Sequence, residues 1–204
     1  MRTWARAVPA ATGALALALA MTGCNDSGSG KSRSNSGSHS SDSASGASDG
    51  KETFQLGEAS PEQDSAKTTS VGAKYTVTPT KVQTGTKADM DSSGLEKDEK
   101  NGPQIPVYVW STLTHKSGKA MKVGDMDSNL VLRTAQGQRT RALIVWMGVA
   151  KWPNCPTPDP DKQLSAGQSE KICTAFLIPE GQKPAAVELT QGYYKKPLEW
   201  PVNN

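Results

Sequence analysis

The chain has 204 residues, with 23 Lys+Arg against 20 Asp+Glu and three cysteines, enough for one domain with a real core and a tail. Arg2 and Arg6 fall within the first 23 positions, so the remainder is close to neutral, with 21 basic against 20 acidic side chains. That balance gives no footing to a nucleic-acid or polyanion partner.

Arg2 and Arg6 make a short basic start, and residues 8–21 form an Ala/Leu-rich apolar run that closes on small residues before Cys24. This is the layout of an export signal. The run is about 14 residues, against about 20 for a helix spanning the hydrocarbon core, so a permanent transmembrane helix is not expected. No Arg-Arg pair is present, which points to general secretion rather than the twin-arginine route.

The ending, Leu19-Ala20-Met21-Thr22-Gly23-Cys24, resembles the lipobox of bacterial lipoproteins. Gly23 and Cys24 match its invariant end, Thr22 is acceptable, and Met21 stands where Leu is usual. The resemblance implies that residues 1–23 are a cleaved leader and that the Cys24 sulfur carries a diacylglyceryl group, cysteine being required because its thiolate is the nucleophile. Two acyl chains meet the two-signal requirement for stable anchoring, each buried CH₂ contributing roughly 0.8 kcal/mol. The implied location is the extracytoplasmic face of the cell membrane, with the membrane itself as partner through the lipid. An ordinary secretion signal with an incidental cysteine is the alternative.

Residues 24–52 are built almost wholly from Ser, Gly, Asp and Asn. Such a stretch cannot bury enough apolar surface to offset its ordering entropy, so it reads as a disordered tether. Gly28-Ser29-Gly30-Lys31-Ser32 imitates the end of a phosphate-binding loop, but Asn25 stands where the first glycine belongs. Ser48-Asp49-Gly50-Lys51 imitates a Ser-x-x-Lys pair, yet nothing in a tether holds it in geometry. Both are accidents of composition.

From Thr53 onward the composition shifts toward Val, Thr, Tyr and Leu, and residues 53–204 read as the folded domain. Residues 54–57 are a brief extended piece, and 68–70 a short edge strand. Residues 74–78 alternate well, and Pro79 marks an edge position or a bulge before 81–84. Residues 86–102 read as a polar surface loop. Residues 105–114 are the best strand, with Ile105, Val107, Val109 and Leu113 on one face and Tyr108, Trp110 and Thr112 on the other, which suggests a central position. An exposed turn at 115–118 follows, then a hairpin of 130–133 and 141–146 around 135–138.

Residues 152–160 hold four prolines and Cys155, a stiff loop leading to a strand at 169–178. On that strand Cys173, Ala175 and Leu177 share one face and Ile172, Phe176 and Ile178 the other. A turn at 179–182 leads to 185–189, and 193–202 form an aromatic, proline-broken tail. No stretch has a helical period. Short strands at spacings of 8 to 20 residues with polar turns indicate an all-β antiparallel sandwich.

In an oxidising compartment, with Cys24 committed to lipid, Cys155 and Cys173 are expected to form a disulfide. A metal or redox pair would want a C-x-x-C spacing and nearby histidines, which are lacking.

The order of pieces resembles a family of extracytoplasmic immunoglobulin-like domains of unknown function found on Gram-positive, especially actinobacterial, lipoproteins, whose sandwich is shared with a secreted mycobacterial antigen. The matching residues are Phe54 and Gly57, then 75–84, 107–118, 132–137, 164–168 and 176–181. His115-Lys116-Ser117 replaces the usual Asn-Thr, and Gln168 stands where Glu is common. The resemblance implies an immunoglobulin-like fold and, the family having no shared catalytic motif, implies no activity.

Candidate sites are few. Residues 125–129 begin like a calcium loop, but Leu130 and Gln136 stand where Gly and Glu belong, so a solvated turn is expected, and no metal or cofactor. Asp159 and Asp161 read as loop solubilisers. His115, the one histidine of the folded region, is expected in an exposed turn with no nucleophile near it in sequence. Trp146, Trp152, Tyr193, Tyr194 and Trp200 form a candidate recognition patch for an envelope protein or glycan; the competing reading is that they close the ends of the sandwich. The expected role is noncatalytic binding or scaffolding in the envelope. A small-ligand carrier is the alternative, for which the sandwich interior reads as too filled.

Overall fold

The computed structural model describes residues 50–95, 102–143 and 150–203, all within the second of two units, Ser45–Asn204. The leader, Cys24, most of the expected tether and Trp146 lie outside the described residues. In chain order the strands are β1 (Gln63–Asp64), β2 (Lys74–Thr84), β3 (Gln104–Ser117), β4 (Met121–Lys122), β5 (Leu130–Thr134), β6 (Arg139–Arg141), β7 (Gln163–Leu164), β8 (Ser169–Pro179), β9 (Pro184–Leu189) and β10 (Leu198–Pro201). Two short helices, α1 (Lys87–Ser92) and α2 (Val123–Met126), interrupt them.

One sheet has the order β1-β2-β3-β8, the other β10-β9-β5-β6, and β4 and β7 form a separate ribbon. Every strand pair is antiparallel. The result is the all-β antiparallel sandwich expected from the spacing of short strands and polar turns.

Strand β3 is central, flanked by β2 and β8, and its alternation sorts side chains as the sequence indicates. Val107, Val109 and Leu113 enter the main core, where they meet Ile172, Phe176 and Ile178 of β8 and Leu130, Leu132, Val187 and Leu189 of the opposite sheet. The other faces of β3 and β8 are also covered. Tyr108, Cys173 and Ala175 form a second apolar cluster with Met90, Ala150, Trp152 and Cys155. The Tyr108 ring meets Trp152 edge-on at 5.8 Å.

The strand β2 is irregular between Pro79 and Lys81, the bulge that proline's missing N–H anticipates. The Pro79 carbonyl accepts from the Gly57 N–H at 2.7 Å.

Four expectations are corrected. Residues 68–70 form a 3₁₀ turn, not an edge strand. The polar stretch after β2 contains α1, which is closed by a capping box: Thr86 Oγ1 accepts from the Asp89 N–H at 3.1 Å, and Asp89 Oδ2 from the Thr86 N–H at 2.6 Å. The aromatic tail contains a true strand, β10, paired along β9. His115 is not in an exposed turn: it lies within β3, two residues before the strand ends, and is fully buried, its backbone N–H donating to the Gln168 carbonyl and its carbonyl accepting from the Gly167 N–H.

Candidate functional site

The Pro-rich loop after Ala150 is held at several points. The Cys155–Cys173 disulfide, with a Cα–Cα distance of 5.2 Å, ties it to β8. Its far end docks on α2: the Gly124 N–H donates to the Pro160 carbonyl at 3.0 Å and the Val123 N–H to that of Lys162 at 2.9 Å. Gly124 is required by this approach, since a Cβ there would stand 2.9 Å from Pro160 Cβ. Asp161 is not merely a solubiliser, as it pairs with Lys122 at 2.7 Å, and Asp159 accepts from the Asp161 N–H at 2.9 Å.

After β6 the chain crosses to the other sheet, where the Leu143 N–H donates to the Ala175 carbonyl of β8 at 2.9 Å. The stapled loop, this crossing, α2 and β8 enclose a cleft of about 350 Å³. Its walls are mostly apolar, with Trp152, Pro158, the disulfide, Ala142 and Leu143 among them. A few polar groups interrupt them, the usual composition of a small-ligand site.

Asp127 is the most informative of these. It follows α2 directly and lines the cleft. Burial pushes its carboxyl up to about 6, opposed by hydrogen bonds from its own backbone and from Thr174 and reinforced by the negative charge of Asp125. The Thr174 hydroxyl donates to Asp127 Oδ2 at a long 3.5 Å. Arg141 lines the same cleft, and its guanidinium has no ion-pair partner among the described residues. Trp152 is buried, and its indole N–H has no hydrogen-bond partner among the described residues. A broader, more open depression of about 660 Å³ lies elsewhere, bordered by Lys51, Phe54, Glu58 and Pro201.

The proposed aromatic patch is not one surface. Trp200 is fully buried in the main core, its ring 5.3 Å from that of Phe54 and its indole N–H donating to the Glu58 carbonyl at 2.9 Å. Trp152 is buried in the second cluster, on the outer face of the β3–β8 sheet. Trp146 lies outside the described residues. Tyr193 and Tyr194 alone stand in solvent, 94% and 96% exposed, in the loop between β9 and β10. Burial thus removes Trp152 and Trp200 from any exposed patch. Conversely, sequence reading missed Arg141, Leu143 and Thr174, and met Asp127 only as a failed calcium ligand.

No protein-family model and no curated protein matches this sequence. Among solved structures, the chain is similar to a secreted protein from Mycobacterium tuberculosis, MPT63, with 13% identity and a TM-score of 0.49 over 74% of this chain and 96% of that one.

Proposed function

We propose that the chain is an exported, noncatalytic binding protein of the cell envelope, held at the membrane by lipid on Cys24, whose stapled cleft takes a small ligand. The single observation that carries the ligand reading is the cleft of about 350 Å³ between the disulfide-tied loop and β8. Its volume lies at the lower end of small-molecule sites, roughly 300–1,000 Å³. The interior of the sandwich is indeed filled, as the sequence indicates, but the cleft lies on its flank rather than within it.

Export is supported by the basic and apolar leader and by the disulfide, which persists in oxidising compartments. The cleft chemistry favours a compact ligand with an apolar body against Trp152 and Pro158, a donor for Asp127 and an anionic group for Arg141. The test is a thermal-shift and ligand-detected NMR screen of small zwitterions and anions on the processed chain. A specific hit should weaken at least tenfold in Arg141→Ala or Asp127→Asn. If every hit binds these variants unchanged, the cleft is not the ligand site.

A further inference from the structure

We propose that the β9–β10 loop, residues 190–197, is a membrane-contact surface that seats Tyr193 and Tyr194 at the headgroup level of an anionic bilayer. The proposal rests on the anchoring reading above and adds an orientation to it. The loop reads Thr-Gln-Gly-Tyr-Tyr-Lys-Lys-Pro and has no acidic residue. Phe54, Tyr75, Tyr108, Trp152 and Trp200 are buried, whereas Tyr193 and Tyr194 are almost wholly exposed. Their rings pack edge to face at 5.1 Å.

The tip is braced rather than loose. Gly192 turns the chain with φ +87°, the Gln191 side-chain amide donates to the Lys196 carbonyl at 3.2 Å, and the Thr190 N–H donates to the Asn129 carbonyl at 3.0 Å. Among the described residues Lys195 has no ion-pair partner, and Lys196, 80% exposed, pairs with Glu52 at 3.4 Å. Tyrosines with an apolar body and a polar tip suit the membrane–water interface, and lysines beside them meet lipid charge.

The position of the loop selects a membrane over a soluble partner. Thr53 bridges Glu199 in parallel, with the Glu199 N–H donating to the Glu52 carbonyl and the Phe54 N–H to that of Glu199, both at 2.8 Å. The chain coming from Cys24 therefore reaches the domain beside the start of β10, at the same end as the loop, where Lys196 touches Glu52. If residues 24–50 form the tether that their composition predicts, about 27 residues of coil span roughly 30 Å, and anchoring adds a high effective concentration to the affinity that the loop has by itself. A projecting tip of four residues is also far smaller than the roughly 800 Å² that a stable protein partner covers.

The test uses the processed chain, residues 24–204, with Cys24→Ser, and flotation on vesicles of equimolar phosphatidylglycerol and phosphatidylcholine or of phosphatidylcholine alone. Binding is expected to the anionic vesicles only, to weaken with salt, and to fall about tenfold or more in Lys195→Glu/Lys196→Glu and in Tyr193→Ser/Tyr194→Ser. Absence of vesicle binding, or binding unchanged in both variants, overturns the proposal, as does capture of a soluble glycan or protein through the tip with no lipid binding. The mass of the N-terminal peptide from cells reads the anchor separately: an unmodified Cys24 defeats the anchoring, while the vesicle result judges the loop.

Discussion

Glu188 of β9 accepts hydrogen bonds from Arg133 Nε on one carboxylate oxygen and from Arg139 Nε on the other, each at 2.7 Å. Arg133 also pairs with Glu199 of β10, so one ion network joins all four strands of the β10-β9-β5-β6 sheet. The Glu188 side chain is only 4% exposed, whereas the two arginines are 30% and 48% exposed. Breaking a fully buried pair costs about 3–5 kcal/mol, and screening at the arginines reduces this. Glu188→Gln is therefore expected to lower stability by about 1–2 kcal/mol, read as a lower urea midpoint at unchanged slope. No change would mean that the arginines repair themselves in solvent.

Asp127 makes stability depend on pH in an unusual direction for a carboxylate. Its folded-state pKa of about 6 lies above the ordinary 3.8, so the folded state holds the proton more tightly than the unfolded one. The favourable contribution is complete below about pH 4 and is lost as pH rises through about 6. Asp127→Asn is expected to remove this slope and to gain about 1 kcal/mol at pH 7, after allowance for solvent screening. Denaturation midpoints of both proteins between pH 4 and 7 decide the matter: parallel curves would show that the carboxylate is fully solvated.

The disulfide is expected to shape the cleft more than the sandwich. Its cysteines are 18 positions apart, a loop whose closure is worth about 3 kcal/mol in chain-entropy terms. Cys155 and Cys173 both belong to the outer cluster, not the main core. Replacing both with Ala should lower the melting temperature, expose Trp152 to acrylamide, and abolish cleft binding while leaving the far-ultraviolet β signal intact. A quencher profile unchanged from the parent would show that the loop is held by its contacts with α2 alone.

How much of this was legible in the sequence depended on the range of the interactions. The two faces of β3 and β8, the bulge after Pro79 and the Cys155–Cys173 pair follow from alternation, proline chemistry and cysteine count, all local signals. The helix α1 was missed because six residues carry too little periodicity, although Thr86-x-x-Asp89 is a readable capping box. The strand β10 was hidden by Pro197 and Pro201, which read as breaks but bound an edge strand, where proline is tolerated. Trp200 looked available until Phe54, distant in sequence, closed over it. The cleft was illegible for the same reason: Asp127, Arg141, Trp152 and Thr174 converge only because the chain after β6 crosses to β8.

His115 offers the sharpest test of the core. It is wholly enclosed, and neither ring nitrogen has a hydrogen-bond partner among the described residues, while its backbone is held on both sides by Gln168 and Gly167. A buried polar group left unsatisfied costs about 1–3 kcal/mol, so an apolar side chain of similar volume should fit better. His115→Leu is expected to raise stability by about 1 kcal/mol, and His115→Ala, which leaves a cavity, to lower it by about 2 kcal/mol. Chemical unfolding of the pair separates packing from polarity, since only the leucine variant keeps the volume. Destabilisation by leucine as large as by alanine would mean that the imidazole bonds a buried water, and that its nitrogens hold the end of β3 in place.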